Sequence, residues 1–333
     1  MERITLAHGS GGKIMIDLLE NNILSKFGMK GIMTDSAVIN VDNEERIAYT
    51  TDSFVVSPLL FPGGNIGDLA VNGTVNDLSM IGASPKYLSV SYIIEEGFEM
   101  DLLEKITLSI SEAAVSADVR IVTGDTKVVN KGKGDGIFIN TSGIGVIKKG
   151  IDIHPSRVMA GDKIIINSPI GRHGVAVMSE RNGLSFEPPV LSDCSPLNGL
   201  VAEMLSVTNE VHVMRDPTRG GLATALKEIA TVASCSVIID ENKVPLDEGV
   251  RGACELLGLD PLYVANEGVL IAFVAKNVAE FLLEHMKMHP HGKHAAIIGE
   301  VKNDNPGMTF LKTGIGGTRV IDLLRGEQLP RIC

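Results

Sequence analysis

Residues 65–85 read NIGDLAVNGTVNDLSMIGASP, and the fold class turns on this stretch. Ile66, Leu69, Ala70, Val71, Val75, Leu78 and Ile81 recur at helical spacing, Gly82 closes the run and Pro85 follows it. The spacing predicts a helix over 65–81 whose polar face carries Asp68, Asn72, Asn76 and Asp77. Upstream, the β-rich runs 32–41 and 46–56 flank the turn-like Asp42-Asn43-Glu44-Glu45 and read as a hairpin. Downstream, 86–95 reads as a strand, 101–117 as a helix, and 119–129 and 136–148 as strands. Helices interleaved with strands make this a mixed α/β unit.

Gly150, Pro155 and Gly161 interrupt the periodicity over 149–162, after which the pattern restarts. Strands are expected at 163–167, 236–240, 269–274 and 295–301, and helices at 175–182, 197–207, 221–233, 249–257 and 278–288. The expected organisation is α/β (α+β) with two domains, 1–150 and 151–321, and a flexible, poorly anchored tail over 322–333. That tail ends in Pro330-Arg331-Ile332-Cys333 and, fully extended, spans roughly 35 Å, enough to enter a cleft.

A formal net charge of -11 argues against broad binding to nucleic acid or to anionic membrane surfaces. No signal-peptide core and no bilayer-length uncharged run is found, and the four cysteines form no CxxC pair. The chain is therefore expected to be cytoplasmic, with neither a disulfide framework nor a structural zinc.

Neither GxxxxGK[ST] nor a GxGxxG between strand and helix occurs, so P-loop and Rossmann chemistry are unsupported. The segment His8-Gly9-Ser10-Gly11-Gly12-Lys13 reads either as an anion-cradling loop or as a plain mobile terminus. Asp35 and Asp52 each follow a threonine within an apolar β-run, and Asp77 and Asp125 sit where regular structure meets glycine-rich chain. Four such acids are either magnesium ligands bridging to phosphate or independent turn and cap residues. Lys127 lies two residues beyond Asp125 and reads as a phosphate or proton handler, or as half of a surface ion pair. Asp216-Pro217-Thr218-Arg219-Gly220-Gly221 precedes a helix and suits either an anion grip or a helix start. Glu267, just before an apolar strand, is a candidate base with a raised pKa or an ordinary strand-edge acid. His285, His289, His291 and His294 straddle Pro290, which favours a solvated helix end over a metal site. Cys333, beside its own α-carboxylate, is not expected to be self-activated.

Taken in order, HGSGGK, TTDSFVVSP, GDLAVNGTVNDLSMIGASP, GDTKVV, RDPTRGG, ANEG and the terminal PRIC resemble the HypE family of hydrogenase maturation proteins, nearly end to end. That family sits in the superfamily of aminoimidazole ribonucleotide synthetase, thiamine monophosphate kinase and selenophosphate synthetase. The resemblance implies a two-domain PurM-like fold whose first domain pairs with its copy in a homodimer built around a barrel. It implies ATP and Mg2+ as cofactors, HypF as the carbamoyl donor to Cys333, and a HypC–HypD complex as acceptor of the cyanide. Carried over residue by residue, Asp35, Asp52, Asp77 and Asp125 would take magnesium. Gly9, Gly11, Gly12, Lys13, Asn72, Asn76 and Asp125 would hold nucleotide. Glu267 and Lys127 would handle protons and phosphate beside Cys333, with Arg219 and Asp216 lining the same cleft. Selenophosphate chemistry is disfavoured because residues 1–31 contain no cysteine. A non-catalytic metal carrier built on the histidine cluster is the rival from another class.

Overall fold

The helix read from residues 65–81 spans Ile66–Met80, and its environment explains why nearly all of it is apolar or small. In the computed structural model, which describes residues 13–18, 20, 36–40, 46–324, 329 and 331–333, this helix lies between a sheet and the second domain. It is consequently buried almost all round, including Asn72 and Asn76 of the expected polar face. Asn65 caps it, accepting from the Gly67 N–H, while Asp68 reaches back to the Asn65 N–H in a capping box.

In chain order the first unit comprises α1 (Lys13–Leu18), β1 (Ala37–Asn40), β2 (Arg46–Phe54), β3 (Leu60–Phe61), β4 (Gly64–Asn65), α2 (Ile66–Met80), β5 (Ala83–Glu95), α3 (Met100–Ser116), β6 (Arg120–Val129) and β7 (Ile137–Ile147). Its sheet runs β1-β2-β7-β5-β6, antiparallel except for the parallel β5–β6 pair. α2 packs on the inner face, burying Phe54, Val71, Val75, Leu88 and Ile139. The outer face carries an exposed apolar row, Tyr49 opposite Ile144 opposite Tyr87.

The second unit comprises β8 (Lys163–Ile166), α4 (Arg172–Asn182), α5 (Asn198–Val207), β9 (Val211–Arg215), α6 (Gly221–Val232), β10 (Ser236–Asp240), α7 (Glu248–Leu257), β11 (Ile271–Val274), α8 (Ala279–Met288), β12 (Ala296–Lys302), β13 (Thr309–Lys312) and β14 (Thr318–Ile321). Its sheet order is β14-β13-β10-β12-β8-β11-β9, with helices on both faces burying separate clusters. Among the described residues the predicted helices and strands are found within a few residues; positions 32–35 and 41–45 of the expected hairpin lie outside them. β9, β13 and β14 escape periodicity because each is a run of four or five residues set against Pro- or Gly-bearing turns. Among the described residues no helix is long and apolar enough to cross a membrane.

Candidate functional site

β2 carries Asp52 on the same face as Ala48, Thr50 and Phe54, so the strand's period of two aims it inward beneath α2. Its Oδ1 accepts from the Ser53 N–H at 2.7 Å. Burial raises the Asp52 pKa, against the pull of Arg219. One turn from the C-terminus of α2, Asp77 accepts from the Thr50 hydroxyl at 2.9 Å. Asp52 and Asp77 therefore lie side by side, and both act electrostatically on Arg219.

Arg219 stands at the turn into α6, and two left-handed glycines aim it. Gly220 has φ +76° and Gly221 φ +62°; a Cβ on Gly221 would come within 2.6 Å of Leu262 O and 2.7 Å of Val264 O. The Arg219 pKa is raised above its ordinary value, first by Cys333 and then, against its own burial, by Asp52, Glu267 and Asp77. The side chain keeps solvent access, so this field is partly screened.

Glu267, 3% exposed, lies opposite. Its pKa is well above the usual carboxylate range, through burial first and then through Asp216, Asp193 and Asp52, with Arg219 opposing. Its Oε1 is buried with no hydrogen-bond partner, as are Asp193 Oδ2 and Asn72 Oδ1. Such orphaned oxygens are costly and mark a place for a ligand group. Asn76 fastens this wall to α2: its Nδ2 donates to Ser195 O (3.1 Å) and Glu267 O (3.0 Å), and its Oδ1 accepts from the Leu197 N–H (2.8 Å). Asn76 is thus a strut between the domains, with both amide protons spent on backbone carbonyls. Asn72 instead donates to Cys194 Sγ at 3.5 Å and keeps its carbonyl oxygen available.

The chain end is seated in this cleft, where a poorly anchored tail was expected. Ile332 is 3% exposed and joins the first domain's core with Val177 and Ala265. The Val55 and Ser57 N–H groups donate to Cys333 O (3.1 Å) and Arg331 O (3.2 Å), so the last residues lie antiparallel to the chain leaving β2. The Cys333 thiol is pushed up to about 12 by burial, Glu267, Asp52 and Asp216, with Arg219 pulling the other way. Burial, more than the α-carboxylate, is what keeps this sulfur protonated. Between the seated tail and Arg219, Gly220, Tyr263 and Ala265 remains a cavity of about 20 Å³, room for a single water.

Two expected members are elsewhere. Asp125 and Lys127 stand in register with Ser91 and Ile93 on the edge strand β6, on the sheet face opposite to Asp52. They pair with each other at 2.6 Å, largely exposed, and the ion pair lowers the Asp125 pKa. Within one chain Lys127 is therefore no partner of Glu267; the cation there is Arg219. The four-acid magnesium set is likewise not assembled by one chain, since Asp125 is across the sheet; Asp35 lies outside the described residues. Gly9, Gly11 and Gly12 lie outside them too, whereas Lys13 begins α1 and its N–H donates to Leu324 O at 3.3 Å. No cluster of three or more metal-ligating side chains occurs among the described residues, the histidines of 285–294 included. His289 instead accepts from the His291 N–H and His285 bonds Phe281 O.

Residues 183–197 contribute most of what motif reading misses. Asp193, Cys194 and Ser195 come from this long stretch without helix or strand, a length that itself signals function. Gly268 lets it approach, since a Cβ there would lie 1.9 Å from Asp193 O. The Asp193 carboxyl is raised to about 6 by burial, against hydrogen bonds from the Glu267 and Gly268 N–H groups.

The chain matches the AIR synthase related protein family in both parts, the N-terminal domain over residues 33–147 and the C-terminal domain over 159–310. It is 49% identical to the carbamoyl dehydratase HypE of Bradyrhizobium diazoefficiens, over 99% of this chain and 96% of that one. It is 40% identical to the carbamoyl dehydratase HypE of Escherichia coli over 100% of both. Among solved structures, a hydrogenase maturation protein HypE in complex with ATP superposes with a TM-score of 0.84 at 44% identity, covering 99% of this chain and 100% of that one. A HypE–HypF complex gives 0.87 at 46% identity, over 92% and 99%. Thiamine monophosphate kinase from Aquifex aeolicus gives 0.64 at 17% identity, over 89% and 95%, and shares the fold.

Proposed function

Because this chain belongs to the HypE family of carbamoyl dehydratases, we propose that its substrate is a carbamoyl group carried on its own Cys333, dehydrated with ATP to a thiocyanate. The observation that carries this reading is the seating of Cys333 between Glu267, Arg219 and the Asp52–Asp77 pair.

The chemistry needs three things from the protein. The amide oxygen must take the γ-phosphoryl group, so that phosphate rather than oxide departs. Both N–H protons must leave as the C–N bond becomes triple. Water must be kept from the intermediate. The products balance as protein thiocyanate, ADP and phosphate, the oxygen and both protons leaving with the phosphate.

Glu267 is the base. Its raised pKa makes its carboxylate a stronger base than an ordinary glutamate's, and its free Oε1 is the atom to receive the proton. Arg219 stabilises negative charge on the oxygen and the departing phosphate. Asp216 and Asp193 set the basicity of Glu267. Asp52 and Asp77 would hold magnesium: they are hard oxygen donors, and the cost of charging buried Asp52 is what a cation would offset. Such a cation supplies charge neutralisation on the phosphates. Gly9, Gly11, Gly12, Lys13 and Asn72 are retained as the nucleotide's contacts and Asp35 as a metal ligand. The seated Ile332 and Leu329 exclude bulk water.

The assembly we propose is a homodimer, and the exposed row Tyr49–Ile144–Tyr87 on the first sheet supports it as the face a second copy would cover in a barrel. Asp125 and Lys127 lie on that same face, and there they would serve the neighbouring copy's phosphates. HypF would load the thiol and a HypC–HypD complex would receive the cyanide for the iron of a [NiFe]-hydrogenase, in the cytoplasm. Mass spectrometry of the C-terminal peptide after S-carbamoylation tests the reaction. Loss of one water from the Cys333 adduct, dependent on ATP and absent in Cys333→Ala, is expected; an unchanged adduct under competent ATP binding sinks it.

A further inference from the structure

Every carbonyl of the last three residues is read by a donor from the body of the protein. Cys333 O takes the Val55 N–H, and Arg331 O takes both the Ser57 N–H and Arg181 Nη2 at 2.8 Å. Ile332 O takes His173 Nε2, also at 2.8 Å. We propose that His173 and Arg181, both on α4, are positioning residues that seat the tail and so set where the Cys333 sulfur points. The inference rests on the dehydration reading for its purpose, and on the hydrogen bonds alone for its mechanism.

His173 is fully buried and belongs to no motif. Ile332 O can only accept, so the ring proton sits on Nε2, leaving Nδ1 as an acceptor. Ser192 Oγ supplies a donor to Nδ1 at 2.9 Å and in turn accepts from the Cys194 N–H at 3.1 Å. The relay therefore has one direction: Cys194 N–H to Ser192, Ser192 to His173, His173 to the tail. It connects the loop that bears Asp193 to the residue before the thiol. The edge of Phe61 meets the ring at 89°, with centroids 5.3 Å apart, and fixes its orientation. Burial holds the imidazole at about 4, so it is neutral at physiological pH and the tautomer is set by its two partners.

Two turns further along α4, Arg181 donates through Nε to Ser57 O at 2.8 Å and through Nη2 to Arg331 O. One guanidinium thus bridges the two chains that pair. Arg331 completes the seat, donating through Nε to Val55 O at 2.9 Å and pairing with Asp135. Since the main-chain contacts ignore side-chain identity, the register is selected by Ile332 in its apolar socket and by Arg331 on Asp135. A sulfur held this way meets Glu267 and Arg219 without a search, the gain expected of pre-orientation.

The test reads the seat without ATP. Cys333 is alkylated with iodoacetamide at pH 8 and the C-terminal peptide is quantified by mass spectrometry in wild type, His173→Phe, Arg181→Met, Arg181→Lys and Asp135→Asn. His173→Phe and Arg181→Met are expected to raise the rate at Cys333 at least tenfold, Arg181→Lys to restore part of the protection, and exposed Asp135→Asn to give a smaller rise in a chain certain to keep its core. In a second arm, pre-carbamoylated protein is followed through one turnover with ATP. The first two variants should dehydrate more slowly at an unchanged KM for ATP, and His173→Gln, which keeps a donor, should recover rate. Alkylation within twofold of wild type across all the variants overturns the proposal. Failure of wild type to lose water while the alkylation pattern holds overturns the dehydration reading and leaves the seat standing.

Discussion

Replacing Asp193 by Asn separates the electrostatics of the cleft from its packing. The Asn Oδ1 can still accept from the Glu267 N–H, a contact of 3.3 Å in the native protein, so what is removed is mainly the charge. Asp193 titrates near 6 against 3.8 for the unperturbed group, which disfavours its charged form by about 3 kcal/mol. The sign follows from proton binding. Below pH 3.8 folded and unfolded chains are both protonated and the residue is neutral in effect. As pH rises through the window between 3.8 and 6, the folded chain keeps a proton the unfolded chain has lost, and stability falls. The penalty amounts to about 1 kcal/mol at pH 4.5 and about 3 kcal/mol by pH 8, somewhat less with the partial exposure of the residue. Asp193→Asn should therefore be more stable than wild type in urea unfolding, with a gap about 2 kcal/mol larger at pH 8 than at pH 4.5. A gap equal at the two pH values, or a variant less stable at pH 8, refutes the reasoning. Because Asp193 also helps raise the Glu267 pKa, the acid limb of the dehydration rate profile should move to lower pH in the variant.

Asn76→Leu removes three hydrogen bonds, two of them buried, that tie α2 to residues 195–197 and 267, and should cost about 3–5 kcal/mol, read as a lowered thermal midpoint. Gly221→Ala must find room for a Cβ beside three backbone atoms at a positive φ; a loss of about 2 kcal/mol or more in urea unfolding is expected, and an unchanged midpoint would show that the turn yields. Ile144→Glu, exposed at the centre of the outer row, should give a folded monomer by light scattering, with circular dichroism unchanged. A dimer that persists in this variant would place the interface elsewhere.

Local pattern alone carried a good deal of this protein. The apolar spacing of 65–81 and the capping residue Asn65 make a helix in any context that buries them, and the β-rich runs around it have one sheet face to hide. Motif order likewise put Cys333, Glu267, Arg219, Asp52 and Asp77 forward as candidates, and the fold brings these five within electrostatic reach of one another. Which of these acids meet was beyond such reading. Asp52 and Asp125 look alike in sequence, yet the alternation of a strand and the order β2-β7-β5-β6 send them to opposite faces of one sheet. Asn76 reads as a nucleotide contact in sequence, and only the fold shows that three backbone groups from the other domain bond to it. The tail, polar and proline-bearing, reads as loose because its partners lie far off in the chain: His173, Arg181 and the N–H groups of Val55 and Ser57. Local sequence encodes what a segment can form from its own neighbours; burial, charge and hydrogen bonds between distant segments exist only once the chain has folded, and these decide where the thiol sits.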